Sequence, residues 1–491
     1  MGPIVLRRRG FCSAGPVRNL ARAGKTPGRL PAGRGLSPCI RWRRRPNHLD
    51  LQRSLGQPDH VTHKGSAVLD DLQARGLVHD STDLASLRQR LDDGPITVYC
   101  GFDPTSDSLH AGNLLMLLNL RRFQDGGHRP IALAGGATGM IGDPSGRSEE
   151  RNLLDDAQLA ANLEGIVPQL RRFLDFDGGL HPARLVDNRS WTIATSVIDF
   201  LRDVGKHITV NQMLGKESVR SRLESASGLS YTEFSYMLLQ ANDFYELYRL
   251  DGCELQIGGS DQWGNIAAGI DLIRRRTGSH AFGLTSPLLT RRDGTKYGKS
   301  STGANLWLSA QKMSPFRFHQ AWIGTPDEDV RKLMLQLTLL QVHDVEELVA
   351  AHQLSPERRV AQRRLAREIT ALVHGDDQAD AAEQAADLLF AGGDPRLVDA
   401  ASWEMLCREV PLATFDPSRL SGEGALPAEL FAELGLASSR SEARRLLEQR
   451  GWMVNGRRLE PHHRLTSADL IMERYVLVRR GRSDFHVLSA S

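Results

Sequence analysis

Thr105 and His110 place a hydroxyl and an imidazole within one short stretch, YCGFDPTSDSLHAGN, that runs from Tyr99 to Asn113. Gly112 follows, where a ligand can lie against the backbone, and the start of a helix there offers unpaired N–H groups and positive dipole charge. Such a spot suits a phosphate chain. Far downstream, Lys296-Tyr297-Gly298-Lys299-Ser300 sets two cations in a Gly-rich polar loop that opens at Arg291-Arg292-Asp293-Gly294, a second phosphate clamp. Lys312-Met313-Ser314 has one lysine and is followed by Pro315, so it reads as the start of a helix instead. Tyr236, Gln240 and Asp243 fall at i, i+4 and i+7 and share one helical face. By themselves they fit a solvated face as well as a pocket.

The elements that must position these groups are readable around them. Ile96-Thr97-Val98-Tyr99-Cys100 is β-branched and aromatic, a buried strand, and Leu114 to Phe123 carries apolar residues at helical spacing. With a second strand at Pro130–Ala134 they form a βαβ unit, the opening of a doubly wound parallel α/β sheet. Gly136, Gly139 and Gly142 then recur every three residues, but this is not the GxGxxG spacing and the run enters Asp143-Pro144 instead of a helix, which argues against a dinucleotide site. Leu255 to Asn265, LQIGGSDQWGN, reads as a strand end, a Gly-rich turn and a helix, which directs Asp261 and Gln262 into the crevice at the carboxyl ends of the strands.

HAGN at His110 to Asn113 and KYGKS at Lys296 to Ser300 together resemble HIGH and KMSKS, the two signatures of class I aminoacyl-tRNA synthetases. The context between them narrows the resemblance to tyrosyl-tRNA synthetases of the bacterial and mitochondrial type. That resemblance implies a Rossmann-like catalytic domain and a pocket for L-tyrosine. In it Tyr99 and Asp243 bracket the phenol, Asp143, Tyr236 and Gln240 meet the ammonium, and Gln262 lies at the carboxylate with Gln256 nearby. It also implies an ATP site, with Cys100 and Asp261 at the ribose, Asp103 at the nucleotide, and Gly112, Asn113, Lys299 and Ser300 along the phosphates. Thr105, His110, Lys296 and Lys299 are then the groups expected to stabilise charge on the leaving pyrophosphate. ATP comes with Mg2+ as substrate; tRNA(Tyr) and a second copy of the chain, as a homodimer, are the implied partners, and no resident metal or prosthetic group is expected. Two departures stand out: Asn113 replaces the final histidine of the first signature, and Tyr297 follows the first lysine of the second. A tryptophanyl-tRNA synthetase shares the architecture, and Tyr99 with Asp243 argues against it; an RNA-folding or splicing factor needs the basic surfaces but not the lysine loop.

Charge divides the chain. Twelve of its 62 basic residues precede the first acid, Asp50, so the remaining 50 face all 59 acids and that body carries a net charge of −9. Residues 1–50, Arg-rich and acid-free up to their last position, look like a mitochondrial presequence, the alternative being a disordered basic leader that binds RNA directly, and a mitochondrial matrix location is expected. Five cysteines, widely spaced and without CxxC, indicate neither a disulfide framework nor a zinc site, and no apolar run approaches a membrane span. The catalytic domain is expected over 60–308, an α-helical anticodon-side domain over 309–395, a linker over 396–424 and an S4-like RNA-binding domain over 425–491. In the helical domain Ser355-Pro356-Glu357 reads as a helix start, followed by Arg358, Arg359, Arg363, Arg364 and Arg367 as either a solvated face or RNA contacts. In the last domain Ser439 and Glu442 form a capping box, and Asn455-Gly456 a hairpin turn. Arg440, Arg444, Arg445, Arg457 and Arg458 make a local basic excess on an acidic body, an electrostatic footprint for RNA phosphates.

Overall fold

The computed structural model describes residues 65–145, 154–223, 228–291, 294, 297 and 305–491, so the Arg-rich leader and Lys296, Lys299 and Ser300 lie outside the described residues. Five strands form the first sheet: β1 Thr97–Phe102, β2 Arg129–Ala134, β3 Arg184–Asp187, β4 Cys253–Gly259 and β5 Phe282–Ser286. Their order is β3-β2-β1-β4-β5 and every pairing is parallel, with Tyr99 opposite Ile131 on one side and Gln256 on the other. β1 is buried at five of six positions, which its β-branched and aromatic residues accommodate, and the helix Ala111–Asp125 buries Leu114, Leu117, Leu118 and Phe123 against it.

The order reverses at β1, between β2 and β4, the switch point at whose carboxyl edge doubly wound sheets bind ligands. On one side of the sheet a core runs from Val68 and Leu72 through Leu117 to Leu333 and Ile369, so this sheet and the following helices share one apolar interior. Arg75 and Arg122 stitch that junction: their guanidiniums donate to the carbonyls of Leu335 (3.1 Å), Leu340 (2.7 Å) and Thr338 (2.7 Å), where the helix Asp327–Leu337 ends. Cations there satisfy orphan carbonyls at a negative helix end.

The helical region differs from expectation at one start. Ser355-Pro356-Glu357 opens only a single 3-10 turn; Arg359 sits at φ 51° and the helix proper is Val360–His374. A non-glycine residue in that left-handed region breaks the hydrogen-bond run that a proline start alone would have propagated. Four of the arginines read as either a solvated face or RNA contacts are partly exposed and bonded within the chain: Arg359 to the carbonyls of Ile323 and Thr325, Arg363 to Asp387, Arg364 to Glu368 and Arg367 to Asp380.

The stretch 396–424, expected as a linker, carries the helix Ala400–Glu409 and strand β6 Leu412–Phe415. β6 is an edge of a second sheet, order β6-β10-β9-β7-β8, with β7 Trp452–Val454, β8 Arg457–Arg458, β9 Tyr475–Arg480 and β10 Asp484–Ala490. One face of this sheet encloses its own core around Phe431, Trp452 and Val478. The other face presents Tyr475, Leu477, Phe485 and Val487 to Phe316, Leu389 and Trp403, with Tyr475 and Trp403 stacked at 5.1 Å. Asn455 and Gly456 form the hairpin turn at φ 47° and 77°. Ser439 caps the helix Arg440–Glu448 through the Glu442 N–H (3.1 Å), but the Glu442 carboxylate reaches back to the Ser438 N–H (2.6 Å), one residue before the expected box partner.

Candidate functional site

The carboxyl ends of β1 and β4 and the helix Tyr231–Asp251 bring most of the predicted side chains into one cleft. At its floor the Tyr99 ring packs on Phe244, centroids 5.2 Å apart. Its hydroxyl is buried with no hydrogen-bond partner among the described residues. Such an orphan costs about 1–3 kcal/mol unless a ligand satisfies it. Asp243 lies close enough for its charge, after burial itself, to push the Tyr99 phenol above its usual range. The Asp243 carboxylate accepts from Asn188 Nδ2 (3.0 Å) and Trp191 Nε1 (2.8 Å); burial outweighs both and lifts it to about 7.

Asn188 also donates to the Thr138 hydroxyl (2.9 Å) and accepts from the Ala137 N–H (2.7 Å), and so ties the loop after β2 to the floor of the pocket. Neither Asn188 nor Trp191 was selected from the sequence. They sit after β3 in a stretch without motif or periodicity, where nothing local marks them.

Above the floor, Asp103 accepts from the Tyr236 hydroxyl (2.6 Å) and from Thr138 (2.8 Å). Asp103, expected beside the nucleotide, is thus held on the side of the helix that carries Tyr236. Gly135 is required here, since a Cβ on it would meet the Asp103 carboxylate at 2.0 Å. Further out a closed ring of hydrogen bonds runs through predicted and unpredicted residues. Gln262 donates to Asp143 (2.7 Å) and accepts from Gln240 (3.2 Å) and Asn265 (3.1 Å). Lys216 donates to Asn265 Oδ1 (2.7 Å) and Ser145 (2.9 Å), and the Ser145 hydroxyl returns to Asp143 (2.6 Å). Gln256 is buried on β4, its Oε1 without a partner among the described residues. Asp261 stands in the 3-10 turn Ser260–Gln262 after β4.

The side of the cleft where phosphates are expected is built on the helix Ala111–Asp125. His110 is its N-cap: its Nδ1 accepts from the Gly112 N–H (3.1 Å) while Asn113 Oδ1 accepts from the His110 N–H (3.1 Å). Nδ1 acting as acceptor leaves Nε2 to carry the ring proton. Asn113 therefore closes a reciprocal cap, which accounts for one of the two departures from the signature. Thr105 is exposed at the turn, and Cys100 is a buried thiol pushed up to about 12, protonated and without nucleophilic character. Segment 306–309 straps this turn: the Ala111 N–H donates to Leu306 O (2.9 Å) and the Leu308 N–H to Leu109 O (2.9 Å). Lys312 then bonds Asp107 and Ser106, so the segment set aside as a helix start also ties down the turn before His110, while Ser314 caps the helix Pro315–Ile323 as expected. Tyr297 explains the second departure. Its ring stacks on Trp322 at 6.1 Å beneath the Arg291 guanidinium at 4.8 Å, which anchors Tyr297 in the core.

In the C-terminal sheet region Arg440, Arg444, Arg445, Arg457 and Arg458 are all exposed, on one helix and the neighbouring hairpin. Among the described residues there is no cluster of three or more His, Cys, Asp or Glu that could hold a metal ion, and no helix long and apolar enough to cross a membrane.

Comparison with known proteins gives this architecture its relatives. Residues 91–391 match the family model for class I tRNA synthetases of the tryptophan and tyrosine type, and residues 407–488 match the C-terminal domain model of tyrosine–tRNA ligases. The chain is 52% identical over 422 residues to the tyrosine–tRNA ligase of Opitutus terrae, covering 86% of this chain and 99% of that one. It is 46% identical over 424 residues to the enzyme of Bacillus caldotenax, with 86% and 99% covered. Among solved structures, a C-terminally truncated mitochondrial tyrosyl-tRNA synthetase of Aspergillus nidulans is similar with a TM-score of 0.60 and 30% identity, over 66% of this chain and 94% of that one.

Proposed function

The chain belongs to the tyrosine–tRNA ligase family of class I aminoacyl-tRNA synthetases, which join L-tyrosine to tRNA(Tyr) with ATP, and on that premise we propose how its residues divide the reaction. The tyrosine carboxylate attacks the α-phosphate of ATP; an O–P bond forms, and pyrophosphate leaves with the electron pair of the bond that breaks. A hydroxyl of the terminal adenosine of tRNA then attacks the acyl carbon, the bond from that carbon to the phosphate oxygen breaks, and AMP departs with its electron pair and takes up the hydroxyl proton on its phosphate. No covalent enzyme intermediate is needed, so the protein acts by placing two anions and stabilising the charge that builds between them.

The observation that carries the tyrosine pocket is the buried, unpartnered Tyr99 hydroxyl beside the Asp243 carboxylate. A phenolic hydroxyl bridging them donates to Asp243 and accepts from Tyr99, which satisfies both. Asp143, Tyr236 and Gln240 face the amino-group end, with Gln262 and Gln256 at its border. Cys100, Asp103 and Asp261 serve the nucleotide. Thr105, His110, Gly112 and Asn113 line the phosphate path, to which Lys296, Lys299 and Ser300 add the second clamp, with magnesium travelling on ATP.

Arg440, Arg444, Arg445, Arg457 and Arg458 form the tRNA surface beyond the catalytic unit. A second copy covers the exposed apolar run of Ile193, Val197, Ile198, Val210 and Tyr231, all more than half exposed in the single chain. The twelve basic residues ahead of Asp50, and the likeness to a mitochondrial synthetase, support work in the mitochondrial matrix.

ATP–pyrophosphate exchange run separately with tyrosine, phenylalanine and tryptophan tests the assignment. Tyrosine alone should support exchange at micromolar enzyme. Tyr99→Phe with Asp243→Asn should cut the preference for tyrosine over phenylalanine by about 10–150-fold, the worth of one hydrogen bond to a charged group. A preference for tryptophan, or a double variant that discriminates as before, overturns the reading.

A further inference from the structure

Lys216 occupies a place that packing does not favour. Its side chain is only 6% exposed, and its stem lies over Gly264, where a Cβ would meet Lys216 Cγ at 3.1 Å, in the first turn of the helix Trp263–Thr277. Burial disfavours the charged amine, and the positive end of a helix dipole disfavours it further. Accordingly its pKa falls below the usual lysine range through burial, resisted by the charges of Asp143 and Asp261. Its two closest partners are neutral, Asn265 and Ser145, and the Asp143 carboxylate stands 3.9 Å away. Apolar residues of like size replace buried ion pairs at little or no cost, so stability alone gives no reason for a lysine here.

The chemistry of the substrate supplies one. An amino acid carries its ammonium and its carboxylate on a single carbon, which puts their atoms within roughly 3–4 Å of each other. A carboxylate and an ammonium 3.9 Å apart at the end of the pocket present the complementary pair. We propose that Lys216 receives the α-carboxylate of tyrosine, so that Asp143 and Lys216 form a two-point site for the zwitterion. This rests on the reading of the cleft as a tyrosine pocket with Asp143 at the ammonium.

The ring of hydrogen bonds follows from the same assignment. Gln262, Asn265 and Ser145 hold the two charges apart at a fixed spacing, since Gln262 bonds Asp143, Asn265 bonds Lys216, Ser145 bridges the two, and Asn265 joins the amide side chains of Gln262 and Gln240. Lys216 thereby keeps the nucleophilic oxygen anionic and aimed outward to the phosphate path. In adenylation that oxygen forms its bond to phosphorus and the pyrophosphate oxygen takes the departing electron pair; no proton moves to or from Lys216. The contact is made in the ground state and weakened as the carboxylate becomes an acyl phosphate, so its loss shows in tyrosine affinity more than in the rate at saturation.

Calorimetric binding of three ligands to the full chain tests this: tyrosine with both charges, tyrosinol without the carboxylate, and 3-(4-hydroxyphenyl)propanoate without the ammonium. For Lys216→Met, tyrosine and the propanoate should each weaken by about tenfold or more while tyrosinol stays within about threefold. Asp143→Asn should give the mirror pattern, with tyrosine and tyrosinol weakened and the propanoate spared. Equal weakening of all three by Lys216→Met makes the lysine a structural strut and overturns the proposal. Tightened tyrosinol with unchanged tyrosine also overturns it, because Lys216 then merely fills the ammonium site when tyrosine is absent. Lys216→Gln, which keeps a donor and drops the charge, repeats the test if the methionine variant has lost its cooperative melting; loss of melting in both overturns it as well. Wild-type protein that binds none of the three sinks the tyrosine reading itself, a different failure.

Discussion

Removing the C-terminal sheet at two different points should give opposite outcomes. A chain ending at Gly424 keeps the helix Ala400–Glu409 and strand β6 but loses β9 and β10. Trp403 then loses its stacking partner Tyr475, and Phe316 and Leu389 lose Leu477, Phe485 and Val487. At about 1.5–3 kcal/mol for each large apolar side chain returned to water, the three left behind, Trp403, Phe316 and Leu389, amount to roughly 4.5–9 kcal/mol, an upper figure because unfolded chains bury some of this surface already. Whole domains are stable by only about 5–15 kcal/mol. A chain ending at Ala391 discards Trp403 and β6 as well; it still uncovers Phe316 and Leu389, with Ala381, Ala382, Ala385 and Leu388, but carries no uncovered Trp403. The shorter protein should therefore melt at the higher temperature, stay soluble and retain tyrosine-dependent pyrophosphate exchange, whereas the longer one should aggregate or melt early. Differential scanning calorimetry of both, with exchange measured on the soluble fraction, decides it. Equal melting temperatures would refute the packing argument, and loss of exchange in the chain ending at Ala391 would show that the last domain supports the catalytic cleft directly.

Two further outcomes follow from charge. Asp243, lifted to about 7, holds a proton in the fold that the unfolded chain releases near pH 4, so stability without tyrosine should fall as pH rises from about 4 to 7. Asp243→Asn should flatten that slope, which is worth up to about 1.4 kcal/mol per pH unit, in urea titrations at pH 5 and 7.5; an unchanged slope refutes the raised pKa. Reversing Arg444 and Arg445 to Glu should raise the KM for tRNA and make its salt slope shallower by about two, as for two lost phosphate contacts, and an unaltered slope would move the RNA surface elsewhere.

What could be read in the chain before folding follows the range over which the physics acts. β1 and the helix Ala111–Asp125 were legible because a strand, a glycine-bearing turn and a helical apolar period are each decided within a dozen residues. The face shared by Tyr236, Gln240 and Asp243 follows from helical geometry alone, although spacing by itself could not separate a pocket wall from a wet surface. The helix at Ser355 misled because a proline start is a local signal, while the left-handed turn at Arg359 is held by carbonyls of Ile323 and Thr325 more than thirty residues earlier. Residues 396–424 read as a linker from their Gly and Pro punctuation, yet Trp403 and β6 are ordered by strands that come some seventy residues later.

Motifs mark backbone that must approach a ligand, so they pick out glycines, cap residues and lysine loops. They do not mark side chains that tune those groups from outside. Asn188 and Trp191 fix the Asp243 carboxylate, and Lys216 faces Asp143, from a region between β3 and the helix Tyr231–Asp251 that has no repeat, no glycine signature and no charge run. That same region carries Ile193, Val197, Ile198 and Val210 on its outer surface. One segment thus holds the Asp243 end of the pocket on its inner side and an uncovered apolar surface on its outer side. Covering that surface with a second copy would stiffen Trp191 and Asn188 together, so the Asp243 carboxylate should be held more firmly in an assembled pair than in a single chain. Tyrosine affinity that rises with protein concentration across the dissociation range would bear this out, and affinity independent of assembly would uncouple the two faces.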